Sequence, residues 1–540
     1  MKRLPVVYVR GFAGGTSGIN RQVDDPFYGF NDGCTHVRVD GDGKPSFYQF
    51  ESPLLRLMTD EGYRLLVHGD QRTYLLEHDG EPIDQNSIWI YRFYDEAATT
   101  FGAPAHRSLL GRLVHGIEDQ VAAPKGFNIE VAAEKLYDFI MLIREKTSAD
   151  KVYLVAHSMG GLVARSMLQK VSQNNDAAGK ARVPAGDLVE GFFTYATPHG
   201  GIDFDLSALD WAMQAFGPAG ADIFAPEKMY GYLHKDATWG DKAPDGWDPQ
   251  EIPATIFEPD RIFCLIGTDP ADYGLSREVV GPKSDGLVKI DKAYVRNANR
   301  AFVHRSHSGR YGEVNSEEGY QNLRRFLFGA YEVKVGLCGL PPHEQRPGEV
   351  WQADLKLTVR GLPIVLHEQL AAHYCPIQLD QERKQHEDKA DAPVPLTTVF
   401  LLDPGQADRK PNDQEPPRAR YSLTLRVFHV TEQHGGFLWK NHLEQVADWE
   451  DTLIVDVGRG DQDGVGSMRA WAAWNSAVLG PPDRYDPITD GLPDVADHKP
   501  CDFIPAGEAF HCSVRLPDIA SHVPVLGADA HLRLTVSRRS

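Results

Sequence analysis

Residues 151–165, KVYLVAHSMGGLVAR, constrain the fold more than any other stretch of the chain. Val152, Leu154 and Val155 make a short apolar run suited to a buried parallel strand, and Leu162, Val163, Met167 and Leu168 then recur at helical spacing. Small residues (Ala156, Gly160, Gly161) crowd the junction around Ser158. A strand that turns into a helix over so few residues has room for a functional side chain only at the tip, where Ser158 stands.

This arrangement resembles the nucleophile elbow G-x-S-x-G of the α/β-hydrolases, with Ala156 in place of the first glycine. The hexapeptide AHSMGG matches a group of bacterial lipases letter for letter. The resemblance implies an α/β fold with a mostly parallel sheet and a serine nucleophile. The plain alternative is an ordinary strand–helix turn carrying an incidental serine.

A chain of 540 residues is too long for one ordinary core, which predicts two domains or one with large insertions. The formal net charge of −20 and the lack of a long basic run argue against a nucleic-acid partner. The opening MKRLPVVYVRGF has too short an apolar core for a signal peptide, and no stretch approaches the roughly 20 apolar residues of a membrane span. The expectation is a cytoplasmic protein without a transmembrane segment, with signal-less export left open and only transient contact with a membrane surface. Cys34, Cys264, Cys338, Cys375, Cys501 and Cys512 form no C-x-x-C pair, which suits reduced thiols better than a disulfide framework or a zinc site. No cofactor or metal is implied.

Along the chain, an apolar strand over 4–9 runs into Gly11, Phe12, Ala13, Gly14 and Gly15, a loop able to bring backbone N–H groups close to a ligand. Residues 13–50 read as a polar insertion. Asp40 and Asp42 hint at a calcium loop, but Pro45 stands where its glycine belongs and no glutamate closes it, so the stretch reads as a turn. A helix capped by Ser52, with Pro53 in its first turn, then a strand, are expected over 52–66. Further strands are expected over 87–93, 189–197 and 261–266, with a helix over 129–146. The strand over 189–197 ends in TPHGG, a second match to lipase-type hydrolases. Between 202 and 260, Leu206, Leu209, Trp211, Met213 and Phe216 mark an amphipathic helix, either a lid over an acyl pocket or a plain helical excursion.

Beyond Gly329 the period changes to two, as in Leu355, Leu357 and Val359, in Tyr421, Leu423, Leu425 and Val427, and in Leu532, Leu534 and Val536. Polar connections at 393–395 and 404–417 separate the runs. The reading is an α/β-hydrolase domain over 1–332 and an antiparallel β-sandwich-like accessory domain over 333–540, joined through 334–347. His367 and Glu368 begin an H-E-x-x-H pattern, but Ala371 occupies the second histidine position and the zinc-site geometry fails.

A serine hydroxyl needs a base, and the base a carboxylate. The family order is serine, acid, histidine. Ser284, Asp285, Gly286, Leu287 and Val288 resemble the N-D-G-L-V of bacterial lipases, which points to Asp285 as the acid and to His307, ahead of an amphipathic run over 320–328, as the base. Asp269, just past the strand over 261–266, is the rival acid, and His304 the rival base. His199 precedes every plausible acid and is set aside. The resemblance assigns the oxyanion donors to the Phe12 and Met159 backbone N–H groups, with Arg10 where the family usually has histidine. Gly309 stands where the lipases carry a calcium-binding aspartate, so calcium is not carried over.

The resemblance thus implies a lipase or esterase cleaving carboxylic esters of apolar acyl chains through an acyl-enzyme. An acyltransferase or a phospholipase or GPI-inositol-deacylase-like enzyme would use the same triad. A catalytically silent binding protein on a hydrolase scaffold also remains open, motivated by Arg10 and the large second domain.

Overall fold

A computed structural model describes residues 3–11, 34–39, 45–50, 52–66, 71–91, 93, 128–202, 222–271, 281–308, 312–341, 349–386, 393–403, 418–431, 447–459, 468–477, 504–506 and 509–539. By compactness the described chain falls into two units. One takes in residues up to 300 together with 304–323, and the other 301–303 together with 324–540.

The first unit is built around a six-stranded sheet, of whose last strand residues 301–303 are counted with the second unit. Its strands are β1 (Val6–Val9), β4 (Ile88–Tyr91), β5 (Val152–His157), β6 (Val189–Tyr195), β7 (Ile262–Gly267) and β8 (Asn299–Val303), in spatial order β4-β1-β5-β6-β7-β8. Every described register in it is parallel: Val6 pairs with Ile88 and Tyr153, Val155 with Phe193, and Thr194 with Cys264. A parallel sheet is covered on both faces, which is why these strands read as continuous apolar runs; β1, β4, β5 and β7 are buried at every position. This is the α/β-hydrolase fold. No helix among the described residues is long and apolar enough to cross a membrane.

Helices cover the sheet. α1 (Ser52–Glu61) and α2 (Gln71–Glu77) precede β4. α3 (Ile129–Thr147) starts at Asn128, whose side-chain oxygen accepts from the Glu130 and Val131 N–H groups at 2.8 and 3.3 Å. Such a cap is worth about 1 kcal/mol. The helix ends at Ser148 in the left-handed region and buries Ala132, Leu136, Phe139, Ile140 and Ile143 on the face its spacing predicts. α4 (Met159–Gln169) is buried along its whole length, although its sequence shows only one apolar stripe. α5 (Pro226–Leu233) and α6 (Glu317–Phe328) follow later in the chain.

The polar insertion contains more order than its composition suggests. β2 (Cys34–Val39) and β3 (Pro45–Phe50) pair antiparallel from Cys34–Phe50 to Val39–Pro45, forming a hairpin apart from the main sheet. Val37 and Val39 on one strand and Phe47 and Tyr48 on the other supply the strand propensity that the surrounding turn residues conceal. The turn reading at Asp40 and Asp42 lies outside the described residues, as does the amphipathic helix from Leu206 to Phe216.

The second unit contains two antiparallel sheets. One runs β11 (Val365–Gln369), β10 (Glu349–Val359), β14 (Arg418–Thr431), β15 (Trp449–Arg459) and β16 (Met468–Trp474), with β12 (Ile377–Gln378) also on β10. The other runs β13 (Val394–Leu401), β9 (Tyr331–Cys338), β19 (His531–Arg538), β18 (Ala509–Arg515) and β17 (Ile504–Ala506). Leu355, Leu357, Leu423 and Leu425 from the first sheet and Val333, Val335, Leu532 and Leu534 from the second share one apolar core, so the unit is a β-sandwich.

Two local expectations change. Lys334, read as the start of a connection, lies inside β9 and pairs with Thr398 and Thr535. Pro395 lies in β13, the edge strand of its sheet, next to a register shift before Thr397. An edge strand tolerates the missing proline N–H and a bulge absorbs the mismatch, so proline does not exclude a strand here. The connection over 404–417 lies outside the described residues.

Candidate active site

The site forms at the C-terminal ends of β1, β5 and β7, where the parallel sheet leaves its loops on one edge. Ser158 sits between β5 and α4 with φ 51° and ψ −127°, a backbone conformation that side chains rarely adopt. Its N–H is held by the Tyr195 carbonyl at 2.9 Å, which ties the tip of the elbow to β6. Glycine at 160 and 161 follows from packing: a Cβ on Gly160 would be driven into the Arg10 carbonyl, and one on Gly161 into the Thr197 side chain. A Cβ on Gly11 would lie 2.7 Å from His157 Nδ1 and 3.0 Å from Ser158 Cβ, so the loop after β1 closes directly onto the elbow.

Two loops bring in the remaining groups. His307, in the loop after β8, places Nε2 3.1 Å from Ser158 Oγ. Its Nδ1 lies 2.8 Å from Asp285 Oδ2, in the loop after β7. Asp285 Oδ1 accepts from the Leu287 and Val288 N–H groups at 2.8 and 2.7 Å, and the Asp285 carbonyl accepts from the His307 N–H at 2.9 Å. All three side chains are buried; Ser158 is 7% exposed, His307 2% and Asp285 1%. With Asp285 accepting from Nδ1–H, Nε2 carries the lone pair and faces the serine hydroxyl. That is the arrangement in which a histidine can draw a proton from a serine.

The rival residues stand elsewhere. Asp269 turns onto its own loop, its Oδ1 accepting from the Ala271 N–H at 2.8 Å. His304 is exposed and its Nδ1 lies 3.3 Å from Thr268 Oγ1. His199 is buried beneath the elbow helix, with Nε2 3.1 Å from Thr194 Oγ1; burial first, then the charge of Arg165, pushes it well below the usual histidine range. The Met159 N–H opens α4, where the first amides of a helix lack intrahelical acceptors. Phe12 lies outside the described residues, as does Gly309.

The TPHGG stretch acts as a brace. Arg165 on α4 donates to the His199 carbonyl at 2.9 Å, the Glu251 carbonyl at 3.2 Å and Gln169 Oε1 at 2.9 Å. This clamps the elbow helix to the turn after β6. Burial lowers the Arg165 guanidinium to about 10, still charged at neutral pH.

Sequence reasoning passed over His157, the residue before the serine. Its Nε2 lies 3.2 Å from the His307 carbonyl and the two rings are 5.2 Å apart between centroids. Burial, then the neighbouring His307, pushes His157 down to about 3, so it is neutral and donates from Nε2. Only its adjacency to Ser158 could have drawn attention to it. Among the described residues, no group of three or more His, Cys, Asp or Glu side chains converges as a metal site would.

Residues 112–218, which span the elbow and the TPHGG stretch, match a family model described as "Putative serine esterase (DUF676)". No curated protein matches the chain. Among solved structures it is similar to the product of gene lin2722 from Listeria innocua, at 13% identity over 60% of this chain and 94% of that one, with a TM-score of 0.23. It is also similar to the mature Bacillus licheniformis lipase BlEst2, at 14% identity over 60% of this chain and 91% of that one, with a TM-score of 0.28.

Proposed function

We propose that this serine hydrolase of the α/β-hydrolase superfamily cleaves carboxylic esters of apolar acyl chains, with Ser158 as nucleophile, His307 as general base and acid, and Asp285 as the orienting carboxylate. The observation that carries the reading is the hydrogen-bonded line from Ser158 Oγ through His307 to Asp285, at 3.1 and 2.8 Å, on a turn that holds the serine in a strained conformation. The lipase-like motifs AHSMGG, TPHGG and SDGLV support an ester of apolar acids as substrate.

In this mechanism His307 Nε2 takes the Ser158 proton as Oγ attacks the ester carbonyl, and Asp285 stabilises the imidazolium that forms. The carbonyl oxygen gains negative charge in the tetrahedral intermediate and is met by the Met159 N–H at the positive end of α4 and by the Phe12 N–H. Each such donor is worth roughly 3–4 kcal/mol, because it meets full charge only as the intermediate forms. His307 then hands its proton to the departing alcohol. Water, deprotonated by the same imidazole, attacks the acyl-enzyme and releases the acid.

A fluorophosphonate probe tests the assignment. Labelling is expected on Ser158, with Ser158→Ala folded, unlabelled and inactive on p-nitrophenyl esters. A folded Ser158→Ala protein that still cleaves them overturns it. A series of p-nitrophenyl esters of rising chain length, run beside a phospholipid, tests the substrate class.

A further inference from the structure

Beneath the triad lies a carboxyl group that the mechanism above does not use. Glu313 opens a single 3-10 turn, Glu313–Asn315, shortly after His307. Its N–H donates at 2.9 Å to the carbonyl of Ser306, the residue preceding His307, and its own carbonyl accepts from Ser316 Oγ at 2.7 Å. Gly319 packs so tightly on that carbonyl that any Cβ there would collide with it. Backbone contacts on both sides therefore clamp the residue to the His307 loop.

The Glu313 side chain is fully buried, and among the described residues neither carboxyl oxygen has a hydrogen-bond partner within normal distance. Asp285 is its charged neighbour, and Gly267 at the end of β7 touches both: a Cβ on Gly267 would lie 2.9 Å from Asp285 Cβ, and the Gly267 backbone favours a charged Glu313 less than burial and Asp285 oppose it. The two carboxyls are unequal. Asp285 accepts from His307 Nδ1 and from two backbone N–H groups, so it can hold a charge; among the described residues Glu313 has no comparable donors. Two negative charges in one dry region repel, and the group with fewer donors keeps its proton.

We propose that Glu313 is the uncharged carboxylic acid while the triad works, a positioning residue that leaves Asp285 as the sole negative charge behind His307. This rests on the assignment of Asp285 and His307 as acid and base. A second anion there would raise the proton affinity of His307 and keep the imidazole protonated, unable to act as base, at pH values where it should be free.

The surroundings agree. Burial first, then the Asp285 charge, pushes the Glu313 carboxyl well above the usual carboxylate range, with the Gly267 backbone pulling the other way. Tyr195 of β6 faces it as well, and its phenol is raised by burial, by Glu313 and by Tyr320 of α6. Among these groups none is a standing cation that would favour an ionised Glu313.

Glu313→Gln, which mimics the neutral acid, tests the proposal. An unfolded chain releases the Glu313 proton near pH ~4.3, while the folded protein retains it to higher pH. The folding constant of the wild type should therefore fall by about tenfold per pH unit relative to Glu313→Gln above that value. The expected result is a difference in urea midpoint that grows steadily from about pH 5 to 8 in favour of Glu313→Gln, with the acid limb of kcat/KM at the same pH in both proteins. A pH-independent difference in stability, with an acid limb displaced to lower pH in Glu313→Gln, would mean that Glu313 is charged and overturn the proposal. Should the variant not fold, 13C-glutamate-labelled wild type decides: one δ-carboxyl resonance at its protonated position at pH ~7 supports the proposal, and none overturns it. Fluorophosphonate labelling of Ser158 in the same samples reads the serine-hydrolase assignment independently.

Discussion

His157 Nε2 lies 3.2 Å from the main-chain carbonyl oxygen of His307. The residue before the proposed nucleophile thus holds the backbone of the proposed base, while its Nδ1 edge packs against Gly11 at the start of the loop after β1. One neutral imidazole thereby spans three loops that must keep register for Ser158 to be activated.

Replacing His157 with Gln is expected to lower kcat by about ten- to a hundredfold with little change in KM, because it loosens the base without touching bound ester. Steady-state kinetics on a p-nitrophenyl ester reads this directly. A rise in KM at constant kcat would place His157 in substrate binding instead.

The same histidine couples stability to acid. Its folded value, about 3, lies below the ~6.5 of an unfolded histidine, so between these values the unfolded chain takes up a proton that the native state refuses. The contribution is fully present above pH ~6.5 and is lost as the pH falls toward 3, at about 1.4 kcal/mol per pH unit. Urea unfolding between about pH 7 and 4.5 should show a slope flatter by that amount in His157→Gln than in wild type.

Ser158 holds its hydroxyl at the tip of the turn at the cost of backbone strain. Ser158→Gly should be more stable than Ser158→Ala by about 1 kcal/mol in chemical denaturation, since glycine accepts the positive φ without penalty. Both variants should be inactive. Equal stabilities would mean that the elbow is unstrained.

Gly161→Ala drives a methyl group into Thr197 at the contact between α4 and the turn after β6. The expected cost is about 1–3 kcal/mol, with reduced activity, as the elbow helix moves away from its brace. Thermal melting and ester cleavage measured on one preparation test both effects.

In the β-sandwich, Arg420 on β14 and Asp456 on β15 are cross-strand partners joined by two hydrogen bonds of 2.6 Å, with the carboxylate fully buried. Removing the arginine strands that charge. Arg420→Ala should cost about 3–5 kcal/mol, while the double variant Arg420→Met with Asp456→Leu should recover most of it, as read by urea midpoints.

Several features were legible in the chain because they are local. The elbow at Ser158, the apolar strands on either side of it, the face of α3 and the period-two strands of the sandwich depend on neighbours within a few residues, and side-chain spacing records such neighbours. The β2–β3 hairpin escaped because turn-forming residues flank and separate its strands, and the strand through Pro395 because a single proline argues against a strand when its edge position is unknown. The position of Glu313 against Asp285 left no mark, since nothing in its local pattern distinguishes a buried acid from a solvated one.

By itself the sequence determined that a serine would stand at a tight strand–helix turn on a parallel sheet, because a turn that narrow admits only small residues around its tip. Which groups come within reach of it, a choice the motif resemblance could only suggest, is a matter of tertiary structure. Ser158 and His307 are 149 positions apart and Asp285 is 22 from His307, and that these two rather than Asp269 and His304 lie in hydrogen-bonded line with Ser158 follows from where each loop leaves the sheet. Convergence over such separations depends on how strands stack and loops return, and residue spacing carries no record of that.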